Sequence, residues 1–254
     1  MIGWQIFVHA LRMVFGNFKQ VLQITIGPAL IAVAAMIVMA LMTRGSSEPV
    51  YYGAEGPPPD LGGGLVLPVL VAFLIVFAIF LWVAVAWHRY VLLEEYPNGL
   101  LPTLNTNRML AYFVQLFLIG LMVVVLFLPL FLIYADLGQG VPAVAALILL
   151  VGYLFVLVVT MRLSITLPAT AIGQPLTLRQ AWDQTQGANG TIIVMLLASI
   201  AFQIILQLVL GIFGIIPVIG ALLSVFVGLI VVPVLNLSLL TTMYGVFIEK
   251  RQLT

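Results

Sequence analysis

The chain contains no cysteine, only two histidines, and very little charge. Each shortage excludes something. Without a thiol there is no disulfide, thiolate metal site, cysteine nucleophile or haem attachment. The histidines, His9 and His88, stand in different segments and neither lies in an H-E-x-x-H motif. A catalytic metal therefore has no ligand set, and none is expected. The serines have no evident His–Asp partners, and no glycine-rich phosphate cradle follows a strand. Charged residues make up 7% of the 254 residues, against about a quarter in soluble domains. The net charge of +1 excludes the basic surface that nucleic acid requires. The expectation is a chain that is not an enzyme, holds no cofactor and binds no nucleic acid.

What the chain has in abundance is apolar surface. It is 64% hydrophobic, with a mean hydropathy of +1.27. Apolar runs recur at about 20 residues, the length that crosses a hydrocarbon core about 30 Å thick. The run VLPVLVAFLIVFAIFLWVAVAW, Val66 to Trp87, is continuously apolar. A barrel strand would alternate with period two, so the backbone is expected to satisfy itself as helix. The fold expected is all-α: a polytopic membrane helix bundle, one transmembrane domain over residues 1–254. Six transmembrane helices are placed at about 22–42, 66–90, 109–133, 141–165, 191–213 and 221–246. The run from Val21 to Met42 exceeds the 7–15 apolar residues of a signal peptide and follows a patterned lead, so it is expected to be retained.

Between these runs lie segments of other kinds. In 3–20, Trp4, Phe7, Val8, Leu11, Val14, Phe15 and Phe18 recur at helical spacing. They predict an amphipathic helix that either lies at the interface or packs under the bundle. Two more cytoplasmic amphipathic segments are expected, at about 104–110 and 177–187. In the second, Thr177 and Gln180 have capping-box spacing. Residues 43–65 are too rich in Pro and Gly for regular structure and form an external loop. Tyr51 and Tyr52 suit its interfacial end, and Gly62 to Gly64 read as flexible linker.

Lys and Arg placement sets the orientation. Arg12, Lys19, Arg89, Arg108, Arg162, Arg179, Lys250 and Arg251 fall on one side, Arg44 alone on the other. Glu48, Glu55, Asp60 and Asp136 also fall on the other side. Both termini are expected in the cytoplasm.

The inner junctions look alike. One reads HRYVLLEEYPNGLLPTLNTNRMLAY and the other MRLSITLPATAIGQPLTLRQAW. Each has an Arg near a helix end, a Pro/Gly break and a further Arg, which suggests three repeated helical hairpins. The alternative is that every cytoplasmic helix end carries a snorkelling Arg. The stretches WHRYVLLEE and MRLSITLPATAIGQPLTLRQAWDQTQG resemble those of bacterial six-span inner-membrane proteins without assigned activity. These are broadly similar to YciC-like proteins and to the membrane domain of some glycerophosphodiester phosphodiesterases. The resemblance implies fold and location. It carries over no catalytic residue.

Three groups of residues are candidates for a site. His88, Arg89, Glu94 and Glu95 form the densest ionisable cluster, read either as an ion-pair or proton-handling site or as headgroup anchors. Arg162 follows a long apolar run, and a buried guanidinium wants a partner. Glu94, Glu95 and Asp183 are the candidates. Gln203 and Gln207 share a helical face and, with Asn236, form an intramembrane polar face. Such amides act as interhelical glue or line a substrate path. Pro129, Gly228 and Pro233 could break spans as in transporters. No span has a mid-membrane carboxylate, which weighs against ion-coupled transport. Glu55 and Asp60 would be a carboxylate pair on a loop that fixes no geometry. The function expected is a non-enzymatic accessory, assembly or organising protein of the inner membrane. Its partners would be membrane lipids and a larger membrane protein complex. The alternative is a permease for a small or lipidic substrate.

Overall fold

In a computed structural model the structure describes residues 1–43, 63–97, 99–138 and 140–253. The expectations for Arg44, Glu48, Tyr51, Tyr52, Glu55, Asp60 and Gly62, and for most of the external loop, lie outside the described residues.

The described chain is helical, with no strand. Its helices are α1 (Ile2–Gly16), α2 (Phe18–Thr43), α3 (Gly63–Leu93), α4 (Thr106–Leu137), α5 (Pro142–Ser164), α6 (Thr166–Ile172), α7 (Leu178–Gln184), α8 (Asn189–Phe213), α9 (Pro217–Phe226) and α10 (Val232–Phe247). A π-helical turn, Val227–Val231, joins α9 to α10. Six stretches are long and apolar enough to span: Phe18–Leu41, Val66–Leu93, Thr106–Leu137, Pro142–Ile172, Asn189–Phe213 and Pro217–Phe247. The shortest has 24 residues, about 36 Å of helix at 1.5 Å per residue. The protein is a multi-pass membrane helix bundle.

Several boundaries differ from the sequence expectation for identifiable reasons. The lead segment stops at Asn17, whose side-chain amide donates to the Met13 carbonyl at 2.9 Å. That bond competes with helix continuation, and α2 starts afresh at Phe18. No separate amphipathic helix occupies 104–110. Residues from Thr106 onward open α4 directly, since no breaker stands between them and the apolar run. The second span ends at Leu93, ahead of Pro97, because Glu94 turns left-handed with φ 55°. Proline breaks two spans. Pro168 has no N–H for the Ser164 carbonyl, and α5 gives way to α6 at Ile165. Pro233 cannot donate to Leu229, and the π turn lies there.

Neighbouring spans pack as hairpins: α2 on α3, α4 on α5, and α8 on α9. The N-terminal α1 packs one face into the bundle and leaves the other exposed. It packs against both α8 and α10, burying Gly3, Ile6, Phe7, Ala10 and Val14. Phe7 meets Phe202 of α8 edge-on at 5.9 Å. Trp4 and Phe15, expected on the apolar face, point outward. At Gly3 a Cβ would collide with the Thr191 carbonyl, so α1 and α8 touch backbone to backbone there. The core gathers at the end that holds the termini and the 94–105 and 173–188 junctions. The opposite halves of the spans leave their apolar side chains exposed.

Candidate functional site

Four buried hydroxyls in that packed end follow one construction. The Ser or Thr hydroxyl donates to a carbonyl three or four residues back. Its oxygen then accepts a hydrogen bond from a donor on another element. Ser238 donates to the Val234 carbonyl (2.8 Å) and accepts from the Trp87 indole N–H (3.0 Å). Thr166 donates to Leu163 (2.8 Å) and accepts from the Gln115 amide (2.9 Å). Thr185 donates to Ala181 (2.8 Å) and accepts from Arg162 Nε (2.9 Å). Such bonds join helices in a medium that offers no water as a substitute partner.

His88 sits in the fourth example. It is fully buried within the protein. The Thr241 hydroxyl, 2.8 Å from Nδ1, is committed as donor to the Leu237 carbonyl, also at 2.8 Å. Nδ1 therefore carries the proton and donates to Thr241. Nε2 is left to accept from the Tyr112 hydroxyl at 3.3 Å. The imidazole is neutral with both nitrogens engaged. Trp87, beside it on α3, is buried as well.

Arg89 is turned elsewhere. Its Nε donates to Glu95 at 2.7 Å, the two form an ion pair, and Nη1 reaches the Ala171 carbonyl of α6 at 3.3 Å. Glu95 also returns its backbone N–H to the Arg89 carbonyl (3.4 Å), so one residue fastens the end of α3 twice. Glu94 is exposed.

Arg162 makes no direct ion pair with the carboxylates expected for it, although Asp183 acts on it electrostatically. Glu95 is taken by Arg89, and among the described residues no ion pair joins Arg162 to Glu94 or Asp183. Neutral oxygens hold it instead: Thr185 Oγ1 at Nε, Asn189 Oδ1 at Nη1 (3.3 Å) and the Trp182 carbonyl at Nη2 (2.7 Å). The guanidinium also lies 3.5 Å from the centre of the Trp182 ring, a cation–π contact. The Thr177–Gln180 capping box that opens α7 is present, with bonds of 3.2 and 2.9 Å. It fixes the short helix whose far end clasps Arg162. Asp183, on the outer side of α7, is exposed.

The expected intramembrane polar face is not assembled. Gln203 is half-buried, while Gln207 and Asn236 are exposed. None has a hydrogen-bond partner in the described structure. They lie on α8 and α10, which both pack against α1.

Open space is modest and varied. A cavity of about 240 Å³ lies between α2, α3 and the π turn, lined by Ala29, Met36, Phe80, Ile230 and Pro233 among others. A smaller one of about 130 Å³, at the inner ends of α1 and α10, contains His9, Thr241 and Arg251. Burial, reinforced by Arg12, holds the His9 imidazole below its ordinary pKa. A groove of about 320 Å³ runs between α4, α5 and α7. Among the described residues no three His, Asp or Glu side chains cluster as metal ligands.

Sequence reasoning singled out His88 and Arg162 but not Thr241, Tyr112, Ser238, Trp87, Thr166 or Thr185, which hold or parallel them. The available signal was a hydroxyl three or four residues after an apolar residue near the end of an apolar run. No protein-family model, curated protein or solved structure matches the chain.

Proposed function

We propose that this is a non-enzymatic integral protein of a bacterial inner membrane, with both termini in the cytoplasm. It acts through lipid and protein contacts as an accessory or organising component. The reading rests on how the chain divides its chemistry. The buried polar side chains are satisfied within the protein, several of them by bonds between helices: none of their described N or O atoms lacks a partner. The outward faces carry only apolar side chains over long distances. On α4, Leu110, Phe117, Leu121, Val124, Leu128 and Phe131 are all more than half exposed. Exposed apolar surface of that extent serves lipid or a partner helix. The resemblance of the junctions to bacterial inner-membrane proteins supports the same location.

The test is purification of the tagged protein from its own membrane in a mild detergent, followed by mass spectrometry of bound protein and lipid. A stoichiometric protein partner is expected. Recovery of bulk lipid alone would remove the accessory role.

One observation favours a second reading, a permease for a lipidic substrate. The 240 Å³ apolar cavity adjoins the π turn and Pro233, where the helix has an alternative hydrogen-bonding register within reach. Accelerated exchange of a fluorescent lipid between leaflets of vesicles containing the purified protein would support this reading over the first.

A further inference from the structure

The groove between α4, α5 and α7 combines an apolar channel with an uncompensated cation at its mouth. Its floor is Val159 and Leu163 of α5, and its walls include Leu126, Phe155 and Trp182. From Phe155 to Leu163 the helix rises about 12 Å. The groove offers about 320 Å³ along that length, and Arg179 is the one charged residue among those that line it.

Arg179 lines the end of the groove next to α7. It is exposed, and among the described residues it has neither an ion pair nor a hydrogen bond. Asp183, one turn further along α7, does not line the groove and does not pair with it. Arg before Asp at this spacing is the weaker orientation for a helical pair. Trp182 separates the groove from the buried Arg162, which lies against its ring. α7 follows the end of the fourth span, and Arg and Trp are both residue types that favour the depth where headgroups meet hydrocarbon.

We infer that this groove binds one anionic phospholipid, an acyl chain along Val159 and Leu163 and the phosphate at Arg179. The inference deepens the lipid-contact half of the reading above and rests on it. A zwitterionic lipid would fill the channel equally well but would gain less at the cation. A single basic group at a membrane surface is worth about a fivefold preference.

The experiment uses the full-length protein, delipidated in detergent and incubated with phosphatidylglycerol or phosphatidylcholine of matched chains. Bound lipid is counted by native mass spectrometry. Wild type should retain one phosphatidylglycerol about fivefold more strongly than phosphatidylcholine. Arg179→Gln, at an exposed unpaired position, should fold normally and lose that preference while keeping the residual apolar binding. Val159→Phe should reduce retention of both lipids. Equal retention of the two lipids by wild type would overturn the proposal, as would a preference that survives Arg179→Gln. Competition by inorganic phosphate alone at equal concentration would also overturn it, since the acyl channel would then contribute nothing. Co-purification of a protein partner is read separately on the same Arg179→Gln variant. Loss of lipid preference with the partner retained is expected. A wild type that keeps the preference but brings down no partner removes the accessory role and leaves this site standing.

Discussion

His88 on α3 and Thr241 on α10 meet at 2.8 Å although 153 residues of chain separate them. The bond joins the first hairpin to the last and fixes the imidazole as a neutral, doubly engaged ring. Thr241→Val removes the acceptor for a buried N–H without changing the side chain's shape much. A loss of about 1–3 kcal/mol is expected, read as a lower thermal midpoint in detergent. His88→Phe should cost a comparable amount by stranding Tyr112. The double variant should lose less than the two single losses combined, since the second change finds no bond left to break. Additive losses would show that the pair does not act as a unit.

Arg162 is fastened mainly to α7 and to the start of α8. Arg162→Met leaves the Asn189 amide oxygen without its donor, the Trp182 carbonyl with only the Thr185 hydroxyl at 3.2 Å, and α7 without its main tether. Amide exchange over 174–188 should accelerate while the middle of α8 stays protected. Arg162→Lys keeps the charge, but one ammonium cannot span three acceptors set around a planar fork. It should therefore resemble Met more than wild type. Unchanged exchange in the Lys variant would mean that charge alone holds the helix.

The six spans were legible in the sequence because a run of about 20 apolar residues has few other uses. The rotation of each span was not. A lipid-facing helix is apolar all round, so the period that reveals the buried face of a soluble helix is absent. Gln203, Gln207 and Asn236 were therefore grouped by type and depth, while the structure turns Gln207 and Asn236 outward. Thr241 was missed for a related reason. A threonine bonded to its own helix reads the same in sequence whether its oxygen faces lipid or a histidine 153 residues away. Arg162 was correctly read as deeper than a flank residue. Its partners are neutral oxygens and a ring face, which carry no charge signature in a sequence.

The seating of α1 depends on one missing Cβ. Gly3→Ala places a methyl group against the Thr191 carbonyl, so α1 must lift from α8 and uncover Phe7 and Ile6. The thermal midpoint should fall. Gly16→Ala meets nothing within 4 Å and should gain about 0.5–1 kcal/mol from helix propensity. The same substitution at two ends of one short helix should thus act with opposite sign. A rise in both variants would mean that propensity, not backbone contact, governs α1.

The absence of cysteine turns the orientation into a direct measurement, because any introduced thiol is the only one in the chain. Gln186 and Gly140 are exposed at opposite ends of the bundle, beyond α7 and between α4 and α5 respectively. Gly140→Cys should react with a membrane-impermeant maleimide on intact spheroplasts. Gln186→Cys should react only after permeabilisation. Arg162, Arg179 and both termini share the Gln186 end, so the positive-inside bias predicts cytoplasmic labelling there. Protection of position 140 with free labelling at 186 would invert the protein. It would also move Arg179 to the outer leaflet, away from the anionic surface of the cytoplasmic one.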